Sequence, residues 1–440
     1  MTVFMILGRG GRRSLPCFVF KGDGGVVLRM KQNVTYLKRW ALLHQKAKES
    51  GFGWGMLEEE DGWHQYMGID VLLFSQKQWD RIRLATERIG RIYQKMYEFL
   101  MSEEGVLWFG RLSLPVATWD VTKVRSSLFS YITRFDLVVD GETIKLLEGN
   151  TDTPTGIVES SVVNRLLCDY HQKRSPNRIA EGLRRAWKRW LNEMMVPSWK
   201  TIYFTSYGWH EEDRETTKFI QKCCPHPQTR YIPIEDIVVS EEGVYTKEGS
   251  PIEYLYRLYP LEFLESDYAE TGEPVGKWML NHISNQTVKM LNPPSAYMMQ
   301  SKAVMALIWE MYEERHPIWT TEEREWIGMY FLPTYQTNLF CDSSYVVKPV
   351  LGREGGGVQI FNQNGEIVEQ DEEMWYSEYS KVYQQYIEMP ETTIETWDGP
   401  YRGKLLVGSF LLGGEPSGLF LRVGEKITGN LSMFVGVAVE

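Results

Sequence analysis

The sequence predicts an α+β protein of several lobes. Three observations predict it: a helix-periodic apolar pattern behind a capping box near residue 75, a strand–helix–strand unit between residues 201 and 234, and a run of short strands with glycine-rich turns after residue 345.

In chain order, the first 34 residues read as an apolar, Gly/Arg-rich extension, a flexible or strand-forming tail. Gly8-Arg9-Gly10-Gly11 lacks the Lys-Ser/Thr ending of a P-loop, so phosphate binding is not expected there. Ser75-Gln76-Lys77-Gln78 is a capping-box candidate, and Ile82, Ala85, Ile89, Ile92, Met96 and Phe99 follow at helical spacing, as a core-facing stripe would. Tyr131 to Val139 and Thr143 to Leu147 read as strands of a hairpin around Asp140-Gly141. Pro154 is expected to open a helix through Leu167, with Thr153 placed to cap it. Thr201 to Thr205, Glu211 to Lys222 and Arg230 to Ile234 form the strand–helix–strand unit, which carries no GxGxxG and so gives no sign of dinucleotide binding. Ser301 to Arg315 is a further helix, with Val304, Leu307, Ile308 and Met311 on one face. The late strands are Tyr345 to Pro349, Gly357 to Phe361, Lys381 to Ile387, Leu405 to Leu412 and Gly418 to Val423.

Composition bounds the function. Of 440 residues, 43% are hydrophobic and 24% charged, an ordinary globular balance with room for an extensive core and a cleft between domains. With 48 Lys+Arg against 58 Asp+Glu the net charge is −10, which argues against a broad nucleic-acid or anionic-membrane surface while leaving a local basic pocket open. No run approaches the ~20 apolar residues of a membrane helix, and the apolar N-terminal stretch precedes its arginines, the reverse of a signal peptide. Five scattered cysteines form neither a disulfide framework nor a CxxC knuckle, so a reducing cytoplasm is expected.

Seven histidines are scattered without HxxxH or HExxH spacing, and GxSxG is absent, so the sequence points away from a zinc site or a histidine-based triad. It offers instead an oxygen-rich cluster, Arg134-Phe-Asp136 with Glu148-Gly-Asn150, and a lysine leading into glycines, Lys348 followed by Gly352-Arg353-Glu354-Gly355-Gly356-Gly357. Carboxylates and an amide oxygen suit Mg²⁺; a lysine and a glycine loop, whose backbone N–H groups can approach anionic oxygens closely, suit phosphates. Solvated strand ends and a plain hairpin turn account for the same residues one by one. A two-residue Asp140-Gly141 turn would set Asp136 opposite Lys145 and turn Glu148 to the other side. A shared metal site therefore requires an extra turn residue or a bulge, pairing Val139 with Thr143 and Arg134 with Glu148, and that is the expectation adopted.

Read together, the blocks RFDLVVD (134–140), LLEGNTDTPTGIVESSVV (146–163), EDRETTKFI (212–220), LYRLYPLEF (255–263), SKAVMALIWE (301–310), YVVKPVLGREGGGV (345–358), VYQQYIEMP (382–390) and GSFLLGGEPSGLFLR (408–422) resemble the glutathionylspermidine synthase family of ATP-grasp ligases, as its synthetase part without the amidase domain. The resemblance runs from about Tyr36 to Val435 and implies a permuted, glutathione-synthetase-like ATP-grasp fold with a pre-ATP-grasp α/β domain. It implies an N-terminal extension over 1–34, helices and the metal hairpin over 35–199, the pre-ATP-grasp domain over 200–294, and the nucleotide-binding region with its lid over 295–440. The implied activity is amide formation, in which ATP phosphorylates a carboxylate and an amine attacks the acyl phosphate.

The same resemblance implies residue roles. Asp136, Glu148 and Asn150 would hold Mg²⁺, and Arg134 would meet the transferring phosphoryl. Lys302 and Lys348 would bind ATP together with Arg422 and with Gly352, Arg353 and Gly355 of the lid, and Gln384, Gln385 and Tyr386 would lie along adenine. Thr153 and Thr155, at the start of the expected helix, are candidates for the substrate carboxylate, with simple capping by Thr153 as the alternative. Glu262 is a candidate for a substrate ammonium group. Gly149, Thr151, Gln300 and Met433 depart from the family's usual aromatic, alanine, asparagine and arginine, so glutathione and spermidine are one carboxylate–amine pair among several. A nucleotide-binding scaffold that has lost ligase activity is the rival reading.

Overall fold

A computed structural model describes residues 34–59, 62–371, 376 and 378–440, so nearly all of the N-terminal extension lies outside the described residues. Three sheets organise the chain. A seven-stranded sheet runs in the order Met67–Phe74, Met433–Val439, Glu415–Gly424, Gly399–Leu412, Ile132–Asp140, Thr143–Asn150, with Glu391–Thr396 paired to Gly399–Leu412. Strands from the first 150 residues and from the C-terminal part of the chain thus share one sheet. The helix Gln76–Leu100, capped by Ser75 and Gln78 as the sequence predicts, buries Ile82, Ala85, Ile89, Ile92, Met96 and Phe99. Leu411 approaches that helix so closely at Gly90 that an added Cβ would lie 2.6 Å from it. The close approach fixes how helix and sheet stack.

A four-stranded parallel sheet joins Lys289–Leu291, Tyr254–Arg257, Ile202–Ser206 and Thr229–Pro233, with the helix Glu211–Cys223 inside the strand–helix–strand unit read from the sequence. A five-stranded antiparallel sheet joins Thr334–Tyr335, Lys381–Gln385, Tyr345–Pro349, Gln359–Phe361 and Ile367–Gln370. Among the described residues no helix is long and apolar enough to cross a membrane.

Two local expectations are corrected. The helix expected at Pro154 begins only at Ile157, because Gly156 adopts φ +81, a left-handed conformation that interrupts a right-handed helix, and the Phe420 ring fills the space a Cβ would need there. Thr153 therefore caps nothing. In the hairpin, Asp140 pairs with Thr143 across Gly141-Glu142, so the turn sits one residue later than Asp140-Gly141. A bulge does occur, at Leu147, but Val139 pairs with Ile144 and Arg134 with Asn150 rather than with Thr143 and Glu148.

Candidate active site

The bulge decides what the hairpin presents. Continued without it, the register from Asp140–Thr143 would set Asp136 opposite Leu147 and turn Glu148 away, since side chains alternate along a strand. With Leu147 as the extra residue, Asp136 lies opposite Glu148 and Arg134 opposite Asn150, and all four side chains face one cavity of about 500 Å³. The residue departures behind them are filled locally. Tyr93 occupies the space beside Gly149, Thr151 Oγ1 donates to the carbonyl of Ala296, and Gln300 Oε1 accepts from the amide of Asp152 at 2.9 Å. Met433 is a buried residue of the last strand and does not line the cavity.

Three of the four groups are hydrogen-bonded to one another, and Glu148 instead meets Lys302. Arg134 donates from Nε and Nη2 to the two oxygens of Asp136, at 2.7 and 2.9 Å, and from Nη1 to the carbonyl of Thr155 at 3.0 Å. Asn150 Nδ2 lies 3.2 Å from Asp136 Oδ2, and Arg422 Nη2 is 3.8 Å from the same oxygen. Burial and the neighbouring Arg134 guanidinium press the Arg422 pKa down. For Glu148, burial works against ionisation, but Lys302 and Lys348 outweigh it and hold the carboxyl well below the usual carboxylate range. Two carboxylates and an amide on one face are hard oxygen donors of the kind Mg²⁺ takes; Asn150 here presents Nδ2 to Asp136, so its amide would have to turn to offer its oxygen.

The opposite wall comes from the five-stranded sheet. Lys348 Nζ donates to Gln384 Oε1 at 2.8 Å and to the carbonyl of Leu147, the bulge residue, at 3.1 Å. Burial lowers its pKa to about 8. Lys302, just ahead of the helix Ala303–Glu313, reaches the carbonyl of Gly352 at 2.7 Å and Glu148 Oε2 at 3.3 Å. Val346, Ile360, Leu406 and Met389 add an apolar patch of the kind a planar base would lie against. Gln385 and Tyr386 also line the cavity, but their amides donate to the carbonyls of Pro333 and Ser344, and the Gln384 side chain is committed to Lys348 and Thr334. These two amides and the Gln384 side chain are therefore already engaged within the protein.

Gly352, Arg353 and Gly355 line the cavity in a turn where Glu354, Gly355 and Gly357 all have positive φ. Arg353 spans the cavity mouth: Nη1 donates to Thr153 Oγ1 at 3.0 Å and Nε to Glu262 Oε1 at 2.8 Å. Glu262 is thereby paired and set behind the wall, which corrects its expected place as an ammonium ligand facing the cleft. Thr153 and Thr155 do line it, from a non-helical segment instead of a helix N-terminus.

Sequence reasoning missed an acidic side of the cavity. Glu212 and Asp213, in the first turn of the helix Glu211–Cys223, line it together with Tyr66 from the loop before Met67–Phe74. Burial and the charges of Glu159, Asp213 and Glu354 raise the Glu212 pKa. Two signals were available: three consecutive acids, Glu211-Glu212-Asp213, and a glutamate, Glu159, set beside the apolar Ile157 and Val158.

The cleft, with two lysines, two arginines on Asp136 and a turn of left-handed residues, lies in a fold of the glutathione synthetase-like type. The solved structure of a glutathione synthetase-like effector from Globodera pallida shares this fold, with a TM-score of 0.56 over 95% of this chain and 100% of that one, at 9% identity. The particular family follows from the sequence: the glutathionylspermidine synthase preATP-grasp family matches residues 35–440, and the chain belongs to it. It is also 28% identical over 328 residues, 69% of this chain and 72% of the other, to a Haemophilus influenzae protein described as "Putative acid--amine ligase".

Proposed function

We propose that the protein is an ATP-dependent ligase that joins a carboxylate to an amine through an acyl phosphate. The observation that carries the reading is the meeting, in one cavity, of Lys302, Lys348 and the glycine turn with the Arg134, Asp136, Glu148 and Asn150 face. A carboxylate is a poor electrophile because its leaving group would be oxide; phosphorylation gives it a better one. In this reading Lys302, Lys348 and the lid amides hold the ATP phosphates, and Arg134 and Arg422 neutralise the charge that gathers on the transferring phosphoryl and acyl oxygens. Asp136, Glu148 and Asn150 would hold Mg²⁺, which when bound supplies positive charge to the phosphate oxygens. Thr153 and Thr155 donate hydroxyl hydrogen bonds toward the carboxylate. Glu212 and Asp213 give the far side carboxyl oxygens that can accept hydrogen bonds from a cationic amine, a polyamine among the candidates.

The domain reading assigns 1–34 as an extension, 35–199 as helices and metal hairpin, 200–294 as the pre-ATP-grasp domain and 295–440 as the nucleotide-binding region. A reducing cytoplasm fits the four described cysteines, all unpaired. Incubation with ATP, Mg²⁺ and pooled peptides and polyamines, read by mass spectrometry, tests the function. The expected result is a new amide with one ADP per bond. ATP binding with neither ADP nor product would support the scaffold reading instead.

A further inference from the structure

Glu159 has no part in the scheme above, yet it lies fully buried beside the cavity. It sits in one turn of π-helix, Glu159–Val163. Its Oε1 accepts two hydrogen bonds, from Trp54 Nε1 at 2.9 Å and from the Tyr66 hydroxyl at 3.0 Å, while its Oε2 has no partner. A buried carboxylate oxygen without a partner costs free energy unless the group takes up a proton. Tyr66 is the link outward. Tyr66 lines the cavity, and its backbone is fixed at both ends, the amide to Gly55 and the carbonyl to Phe434.

We infer that Tyr66 and Glu159 form a proton relay for the attacking amine: Tyr66 Oη takes a proton from the substrate ammonium as its own proton passes to Glu159. This deepens the ligase reading and rests on it. The step balances: ammonium and Glu159 carboxylate become neutral amine and Glu159 carboxylic acid, with Tyr66 unchanged. The freed nitrogen lone pair then forms the bond to the acyl carbon, the carbon–oxygen bond to phosphate breaks, and the second N–H proton leaves with the phosphate. The groups facing the relay suit this. Burial raises the Glu159 pKa against the opposing hydrogen bonds of Trp54 and Tyr66 and the charge of Arg134. Tyr66 is held protonated by burial and by the charges of Glu159 and Glu212, with Arg422 acting the other way. A carboxyl held above its ordinary range is matched to receiving a proton near neutrality.

The experiment compares wild type, Glu159→Gln and Tyr66→Phe with ATP, Mg²⁺ and glutathione or a pool of peptides as carboxylate. Each is given either spermidine or hydroxylamine, whose nitrogen is already unprotonated at neutral pH. In both variants amide formation with spermidine should fall by roughly a hundredfold or more, the scale of general base catalysis, while hydroxamate formation stays within a few-fold of wild type. The spermidine rate of Glu159→Gln should also recover as pH is raised and free amine accumulates. Equal loss with both nucleophiles makes the pair structural, and unchanged amide formation removes it from the reaction; either overturns the relay. A wild type that yields neither ADP nor hydroxamate with any carboxylate overturns the ligase reading and the relay with it.

Discussion

The two walls of the cavity are built differently. The wall carrying Arg134, Asp136, Glu148, Asn150 and Arg422 belongs to the seven-stranded sheet, whose strand Gly399–Leu412 is 14 residues long and which holds Arg134, Arg422 and Asn150 around Asp136 in advance. The wall carrying Lys348 and the glycine turn belongs to the five-stranded sheet, whose edge strand Ile367–Gln370 is largely exposed and whose turn holds three residues at positive φ. Stabilising a developing charge requires donors that do not reorganise during the reaction, whereas admitting a nucleotide requires a part that opens at small cost. The first requirement suits the large sheet and the second the small one.

Changes on the rigid wall should therefore act on turnover and changes on the small sheet on nucleotide affinity. The largest effect is expected for Arg134→Ala, which removes the guanidinium fork and leaves Asp136 buried without its main partner. Turnover should fall by about 10²–10³, the scale of losing a preorganised oxyanion donor. Nucleotide Kd should change little. ADP release and calorimetric titration with an ATP analogue check the split; an equal loss of affinity would erase the contrast between walls.

Lys348→Ala comes next, with the KM for ATP rising by about tenfold, the equivalent of ~1.4 kcal/mol. Stability should also fall, by about 1–3 kcal/mol, because Gln384 Oε1 and the Leu147 carbonyl lose their donor. The pH dependence sharpens the assignment. Burial sets the lysine at about 8 in the folded protein, below its ordinary value, so between the two the unfolded chain binds more protons. Stability should then rise with pH above about 8, while kcat/KM for ATP falls as the phosphate contact loses its charge. Lys348→Arg should abolish both trends. Thermal melts and pH–rate profiles read these opposite signs.

How much of this was legible in the sequence divides along the same line. The helix Gln76–Leu100, the strand–helix–strand unit and the glycine turn each announce themselves by local periodicity or composition, and the face that sets Asp136 opposite Glu148 does need a bulge, though one with a different pairing from that expected. The bulge position was not legible, because Asp140-Gly141 and Gly141-Glu142 are both acceptable turns and only packing chooses between them. Tyr66, Glu159 and Glu212 come from three distant segments and acquire meaning only where the chain brings them together. The pairing of Glu262 was not legible either, because its partner Arg353 lies 91 residues away.

A smaller effect is expected from Arg353→Ala. Arg353 joins the glycine turn to Glu262 and to Thr153, so its loss should leave the turn more open without removing any bond within either sheet. Hydrogen exchange over residues 352–357 should accelerate in the nucleotide-free protein, and most of the difference should vanish with ATP analogue and Mg²⁺ present.

Thr153→Ala should give the smallest effect, and it separates the sequence's expectation from the structure's. As a helix cap, Thr153 would contribute ~1 kcal/mol, and its loss would lower the melting temperature. The helix begins instead at Ile157, and the Thr153 hydroxyl oxygen accepts from Arg353. The variant should therefore melt close to wild type while exchange in the lid rises part of the way toward that of Arg353→Ala. The two substitutions combined should add little to Arg353→Ala alone, since they remove the same hydrogen bond and partners in one contact are not additive. An additive pair would mean that Thr153 acts on something other than the lid, and the carboxylate substrate would then be the first partner to test by its KM.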